Sequence, residues 1–282
     1  MRRRLIYVLA WIGICALAPS AFAHHTAGHG GGGSALSPFS GSSRPPKTFL
    51  DLSFTADALD LERGEAFTYQ LAGEYAFHRR LAVGARVPFL TLNQGLSSST
   101  GLGDVALTLK GLIWRDEARD LSLNLGSEVS FPTGDESEGF GSGTVSFFPY
   151  LNVSKHFSFF DAFLTGGGTL EAATPEGRGS SFDYAAGVSF PVLKRSLPLD
   201  LFLAFQGSSF LGSDTFTDGS TKGYLKPGIA FHFGKHLVAA VSGKISVIDT
   251  LRLKRGVVLT PTSPAFQTDV EAGFASNLYY SF

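Results

Sequence analysis

Hydrophobic and polar residues alternate along most of the chain after residue 47, at the period of two that is typical of β-strands. The alternation predicts twelve strands, and one face of most of them is rich in Leu, Val, Phe and Tyr. The other face carries Gly, Ser, Thr and charged residues. The expected strands are 48–57, 65–77, 81–92, 102–114, 120–131, 143–155, 158–170, 181–192, 198–211, 222–233, 236–248 and 267–282.

The connections between these strands alternate in length. Five are short, at 78–80, 115–119, 156–157, 193–197 and 234–235, and six are long, at 58–64, 93–101, 132–142, 171–180, 212–221 and 249–266. A barrel with an even number of strands and both termini in the periplasm requires this tally. Because no open sheet edge can face lipid, the wall must close on itself. The sequence therefore predicts an all-β fold, a single 12-stranded antiparallel transmembrane β-barrel of the bacterial outer membrane, over residues 48–282.

The alternative all-β fold is a water-soluble sandwich, whose strands also alternate but point their apolar faces inward. The chain holds 26 Phe and 34 Gly. A sandwich would bury the Phe in a core, whereas a barrel in lipid would place it outside. A sandwich also gives no reason for the alternating loop lengths, which favour the barrel.

The first 47 residues are expected to stand apart from the barrel. Arg2, Arg3 and Arg4 precede an apolar run that is too short to span a membrane, and Ala21-Phe22-Ala23 is a small-x-small cleavage site. We interpret residues 1–23 as a signal peptide. Residues 24–47 are rich in Gly, Ser, Pro and His, which predicts a flexible, disordered N-terminal tail in the periplasm.

Composition narrows the classes of function. Removal of the signal peptide takes away the one Cys, so disulfides play no part. It also lowers the basic residues from 23 to 20, against 24 acidic ones. This negative balance argues against a nucleic-acid partner. Nothing in the pattern indicates a cofactor.

The last segment, from Val270 to Phe282, alternates strictly and ends on an aromatic residue. It resembles the final strand of bacterial outer-membrane barrels, which usually closes on a terminal Phe. That resemblance implies recognition of the strand and of Phe282 by the barrel-assembly machinery, with outer-membrane lipid as the surrounding partner.

Three Gly-rich motifs occur in a fixed order. They are Gly101-Leu102-Gly103-Asp104, Phe131-Pro132-Thr133-Gly134-Asp135 and Gly139-Phe140-Gly141-Ser142-Gly143. This order resembles the outer-membrane family named for the MetA-pathway of phenol degradation, over about residues 48–282. The resemblance implies an outer-membrane channel or transporter for small compounds, aromatic or hydrophobic ones among them. In physical terms, the same residues favour tight turns and strand ends at the barrel rim over contact with a ligand.

Charged residues on the polar faces are the candidates for lining a channel, because charge on the lipid side would cost a few kcal/mol near the midplane. They are Glu74, Arg86, Lys110, Glu128, Asp183, Asp200, Lys226, Lys244, Asp269 and Glu271. We expect Glu74 and Arg86 to be diagonal neighbours, Arg86 and Lys110 to share one height, and Lys244 to lie near Glu271. Such charges either fill a narrow lumen and stiffen the wall or form a constriction that selects solutes.

The histidines suggest a second function and argue against a third. His24, His25 and His29 could bind copper, nickel or zinc, which gives the alternative of a structural or metal-handling protein with a plugged lumen. The remaining histidines, His78, His156, His232 and His236, map to periplasmic turns. A barrel hydrolase needs a Ser–His pair near the outer leaflet, so we expect no enzyme.

Aromatic residues are expected to form girdles at the two membrane interfaces. The outer girdle would hold Phe67, Tyr69, Phe89, Phe131, Phe182, Tyr184 and Tyr224, and the inner one Tyr75, Phe77, Phe190, Phe233, Tyr280 and Phe282.

Overall fold

The computed structural model describes residues 45–59, 64–94, 97–171, 180–193, 198–211, 219–250 and 270–282. The regular structure of these residues is β-strand throughout. The strands are β1 (Phe49–Leu59), β2 (Gly64–His78), β3 (Leu81–Gln94), β4 (Ser97–Leu102), β5 (Val105–Asp116), β6 (Leu121–Phe131), β7 (Ser146–His156), β8 (Asp161–Glu171), β9 (Ser180–Leu193), β10 (Leu199–Leu211), β11 (Thr221–Phe233), β12 (Leu237–Asp249) and β13 (Val270–Ser281). None of the described residues forms a helix long and apolar enough to cross a bilayer.

The strands form one closed antiparallel wall. Successive strands pair from β5 to β13, and β13 pairs with β1 from Phe49 opposite Ser281 onwards. β1 lies beside β2, where the backbone N–H of Ala76 donates to Thr48 Oγ1 over 3.1 Å. The ring of Phe54 also packs 4.9 Å from that of Tyr69 on β2. With neighbours on both sides of β1, the wall has no open edge.

β4 and β5 lie end to end beside β3, so the thirteen strands occupy twelve positions in the wall. Leu81 to Arg86 of β3 pair with β5, and Phe89 to Gln94 pair with β4. The twelve-stranded barrel is confirmed, but the prediction of a loop over 93–101 was wrong. A polar hairpin occupies most of it, held by hydrogen bonds such as Ser98 Oγ to Asn93 Oδ1 at 2.7 Å. Polar hairpins leave no hydrophobic alternation in the sequence.

The apolar faces of the strands point outward. Leu52 is 53% exposed and Tyr75 is 62% exposed, and large hydrophobic residues of this kind recur on every long strand. The inward faces hold most of the buried polar residues, including Asn124, Asn152 and Thr165. Because apolar surface on this scale is unfavourable in water, the outside of the barrel is built to face lipid.

The two ends of the barrel differ. We call the end with Arg79-Arg80, 117–120, 157–160 and 234–236 the turn end, because its connections are short. The opposite end, which we call the loop end, carries the longer connections. In bacterial outer-membrane barrels short turns face the periplasm, so we expect the turn end to be the periplasmic one.

Residues 1–44, with the expected signal peptide and most of the expected tail, lie outside the described residues. The last three residues of the expected tail, 45–47, are described and enter the barrel. The N–H of Lys47 donates to Glu74 Oε1 over 3.0 Å, and Pro45 borders a cavity at the turn end whose other walls belong to β5–β10 and the β5–β6 turn.

Candidate functional site in the barrel lumen

Two ion pairs cross the inner wall between β2 and β6. Lys110 Nζ on β5 lies 2.7 Å from Glu74 Oε2 on β2, and Arg86 Nη2 on β3 lies 2.5 Å from Glu128 Oε1 on β6. Each pair passes over one intervening strand, β3 in the first case and β5 in the second. The pairs therefore interleave, and they tie four neighbouring strands together.

The strand register explains this arrangement. Ala72 is opposite Arg86 and Glu74 is opposite Gly84, so Glu74 and Arg86 are diagonal neighbours as predicted. They nevertheless do not form an ion pair with each other. The prediction that Arg86 and Lys110 share one height was wrong, because Arg86 is opposite Ala106 and Lys110 is opposite Ala82. Strands in a sheet are about 4.8 Å apart, and long side chains such as Arg and Lys reach over a neighbour that is small. Gly84 provides that space on β3, because it lies opposite both Glu74 and Thr108 and carries no side chain.

Most of the predicted channel-lining residues have described side chains, and these lie on the inner face. Glu74, Lys110, Glu128, Asp183, Lys226 and Lys244 are buried there, and Arg86 and Asp200 are partly buried. Asp269 and the side chain of Glu271 lie outside what the structure describes. The expectation that Lys244 lies near Glu271 therefore stays a prediction.

A second charged group lies between β10 and β1. The register places Lys226 opposite Lys244, since Leu225 pairs with Ile245 and Gly228 with Ser242. Lys244 Nζ lies 3.3 Å from Asp57 Oδ2, and Lys226 Nζ donates to Gln206 Oε1 over 2.5 Å. Sequence reasoning missed Asp57, because it stood at the end of the expected first strand next to a loop.

Tyr224 corrects the predicted outer girdle. Lys244 Nζ lies 4.2 Å from the centre of its ring, which is a cation–π contact inside the lumen. Tyr224 shares the inner face with Lys222 and Lys226, since residues two apart on a strand point the same way. Its assignment to the outer girdle was therefore wrong.

Several other aromatic rings face inward and lie flat over glycines of the next strand. A Cβ on these glycines would collide with the ring: Tyr150 covers Gly126, Phe148 covers Gly167, Phe163 covers Gly187 and Phe202 covers Gly228. The rings of Phe148 and Tyr150 are 5.7 Å apart and stacked. Because the far atoms of each ring contact the adjacent strand, these rings lie along the wall. The sequence predicted Phe on the lipid side, which was wrong for these rings. A Gly at a matching inward position of the adjacent strand is the signal in the sequence that identifies such pairs.

Small polar side chains fill the inner face between the charged groups. Asn152 Nδ2 donates to Thr165 Oγ1 over 2.7 Å, and Asn124 Nδ2 donates to Asn152 Oδ1 over 3.3 Å. Asp183 accepts from Thr169 Oγ1 at 2.8 Å and from Ser208 Oγ at 2.5 Å. The lumen is thus amphipathic, with aromatic faces next to hydroxyl, amide and charged groups.

The histidines within the described part of the chain lie at the turn end, as predicted. His156 Nδ1 is 2.5 Å from Asp161 Oδ1, and His232 Nε2 is 2.8 Å from Asp200 Oδ2. No group of three or more His, Cys, Asp or Glu among the described residues could hold a metal ion. His24, His25 and His29 lie outside them.

Comparison with known proteins identifies the family. A family model described as "Putative MetA-pathway of phenol degradation" matches residues 86–252, which is more than half of the chain. The chain belongs to this family. No curated protein sequence matches it.

Solved structures share the fold at low sequence identity. An outer-membrane channel from Pseudomonas putida F1, of the group COG4313, aligns with a TM-score of 0.59 and 12% identity, over 87% of this chain and 98% of that one. The NanC porin aligns with a TM-score of 0.53 and 10% identity, over 83% of this chain and 98% of its own. These likenesses show the barrel fold.

The motifs of the phenol-degradation family meet at the loop end. The Asp104 carboxylate accepts from the N–H of Gly134 at 3.0 Å, and from the N–H and hydroxyl of Ser142 at 2.7 and 2.8 Å. Thr133 Oγ1 donates to the carbonyl of Gly103 over 2.9 Å. Asp104 is 2% exposed, so a buried carboxylate anchors the segment between β6 and β7.

This anchor places Phe140 inside the barrel. Phe140 is 3% exposed and packs with Ala66, Leu90 and Leu92, which lie on the inner faces of β2 and β3. We call the segment 132–145 the inserted loop, because its Phe140 packs against the inner wall at the loop end. The motifs shape the rim, as their physical interpretation favoured. The insertion itself was not predicted, since nothing in a loop sequence says which way the loop folds.

One turn of the inserted loop is organised by Asp135. Its Oδ1 accepts from Ser137 Oγ at 2.6 Å and from the N–H of Ser137 at 2.9 Å. The hydrogen bond from the Ser137 hydroxyl holds the pKa of Asp135 below its ordinary value.

Proposed function

We propose that the protein is a passive outer-membrane channel for small solutes, including aromatic ones. The observation that carries the proposal is the amphipathic lumen, in which flat rings such as Tyr150 and Phe202 share the inner wall with paired charges. An aromatic solute can stack on such rings while its polar group bonds to the neighbouring side chains. Membership of the phenol-degradation family supports the same class of solute.

The arrangement of the charges also supports passage. Glu74, Arg86, Lys110 and Glu128 are held against the wall in pairs, so they do not extend singly across the lumen. Among the described residues, His156 and His232 are hydrogen-bonded to Asp161 and Asp200. The lumen would then bind and orient solutes as they pass.

Entry of solutes into proteoliposomes tests this function. Benzenesulfonate and an aliphatic sulfonate of similar size are suitable probes, because their permanent charge prevents them from crossing lipid unaided. We expect both to enter, with the aromatic one faster. Equal rates would contradict the aromatic preference, and no entry of either would contradict the channel.

We also propose that the assembly machinery of the outer membrane reads the end of β13. Phe282 is 71% exposed, and its ring lies edge-on to that of Tyr280 at 5.0 Å. Phe282→Ala should lower the amount of folded barrel in the outer membrane of cells, while folding in detergent stays normal. Unchanged amounts in cells would contradict the proposal.

A further inference from the structure

A cavity of about 360 Å³ opens at the turn end of the lumen. It follows half of the wall, from Arg115 on β5 to Asp200 on β10, with Pro45 on the opposite side. This volume lies within the range of small-molecule pockets. The chemistry of its lining changes from one end to the other.

One end of the cavity offers a cation and hydroxyl groups. Arg115 pairs in register with Ser122, whose side chain faces the lumen, so the guanidinium lies on the inner side. No acidic partner of Arg115 occurs among the described residues, whereas Arg86 and Arg119 are bound to Glu128 and Asp116. A guanidinium with free donors binds a carboxylate bidentately.

The serines beside Arg115 keep one donor for a ligand. Ser122 Oγ and Ser154 Oγ are 2.6 Å apart, and both border the cavity. Each hydroxyl carries one hydrogen, and one of the two is used between them. The other is free to donate to a carboxylate that Arg115 holds.

The far end of the cavity offers acceptors and a ring. Asp200 and Asp161 border it, and each carboxylate uses one oxygen on a histidine, His232 for Asp200 and His156 for Asp161. The remaining oxygens can accept a hydrogen bond from a ligand hydroxyl. Between the two ends, the ring of Phe163 lies flat over Gly187 and forms an apolar face.

We propose that this cavity binds small aromatic carboxylates that carry a hydroxyl group on the far side of the ring. Arg115 with Ser122 and Ser154 holds the carboxylate, Phe163 contacts the ring and Asp200 accepts from the hydroxyl. The site rests on the proposed channel function, because it would be the point at which a solute leaves the lumen for the periplasm.

Calorimetric titration of the purified full chain in detergent with 4-hydroxybenzoate, near neutral pH, tests the site. We expect saturable binding that Arg115→Gln weakens about ten-fold or more, since hydrogen bonds to charged groups are the strong ones. Arg119→Gln is the matched control, because Arg119 lies on the adjacent turn, is 75% exposed and is bound to Asp116. Equal loss in both variants, or no binding by the unaltered protein, would overturn the proposal.

A second pair of measurements tests the hydroxyl end. The unaltered protein should bind 4-hydroxybenzoate more tightly than benzoate, because only 4-hydroxybenzoate has a hydroxyl that can donate to Asp200. Asp200→Ala removes this acceptor and should abolish the difference in affinity between the two ligands. A difference that survives in Asp200→Ala would overturn the role of Asp200. The sulfonate entry assay separates the two proposals. If 4-hydroxybenzoate does not bind but the sulfonates enter normally, only the binding site is contradicted. If 4-hydroxybenzoate binds but the sulfonates do not enter, only the channel is contradicted.

Discussion

Arg86 reaches over β5 to Glu128, so an ion pair joins two strands that do not touch. Nη2 and Oε1 are 2.5 Å apart, and the two side chains are 12% and 3% exposed. The neighbouring pair of Lys110 and Glu74 does the same over β3. These contacts act as cross-braces on the inner wall between β2 and β6.

Removal of one member of such a brace should destabilise the barrel. Arg86→Ala leaves the Glu128 carboxylate buried without its cation, and the expected loss is about 3–5 kcal/mol of unfolding free energy. Arg119→Ala is the control, since its pair with Asp116 is exposed and should contribute about 1 kcal/mol or less. Urea unfolding in lipid vesicles measures both. Similar small losses would show that the braces do not stabilise the wall.

The anchor of the inserted loop should control the width of the lumen. Asp104→Ala removes the acceptor of three hydrogen bonds, so the segment that carries Phe140 should leave the lumen. We expect a larger single-channel conductance and faster proteolysis of residues 132–145. Glu138→Ala removes an exposed charge from the same loop and should change neither quantity. A conductance for Asp104→Ala equal to that of the unaltered protein would contradict this role.

The turn at Asp135 should depend on pH. The pKa of Asp135 is lowered in the folded chain by the Ser137 hydroxyl, so its stabilising effect is present above the ordinary carboxyl pKa and is lost as the pH falls through the lowered value. Asp135→Asn should therefore increase cleavage of the inserted loop near neutral pH. In acid the variant and the unaltered protein should be cleaved alike. A difference in cleavage that persists in acid would contradict this role of the Asp135 carboxylate.

The pairs of aromatic rings and glycines should set the free space in the lumen. A methyl group at Gly126 would collide with the Tyr150 ring, whose far end must then move into the lumen. Gly126→Ala should lower the conductance, and Tyr150→Ala should restore it in the double variant. At Gly168 the nearest atom to a Cβ is 3.7 Å away, so Gly168→Ala should behave like the unaltered protein. Conductance that is unchanged in Gly126→Ala would count against flat rings as the lining.

The sequence predicted the parts of this barrel that follow from period-two alternation. The expected strands 81–92 and 198–211 agree with β3 and β10 to within two residues, because lipid on one side and a polar lumen on the other impose the same alternation everywhere. The same alternation predicted which charged residues face the lumen. Alternation does not identify which side chains pair across the wall. Prediction of the pair between Lys110 and Glu74 would have required the strand register and the reach of each side chain.

The missed features share another cause. β4 has no apolar face, and Phe140 enters the lumen through hydrogen bonds of a loop to Asp104. Phe148, Phe163 and Phe202 face inward although Phe is typical of the lipid side, because glycines on the adjacent strands leave room for a ring. Each of these features depends on a contact between two segments that are distant in the chain, and the pattern of a single strand carries no information about such a contact.

Conductance of the purified barrel in a planar lipid bilayer shows whether the lumen is a passage. We expect discrete single-channel steps in the unaltered protein, and larger steps in Phe140→Ala, because that change removes the ring of the inserted loop from the lumen. A barrel that is folded but silent, both unaltered and as Phe140→Ala, would contradict this expectation.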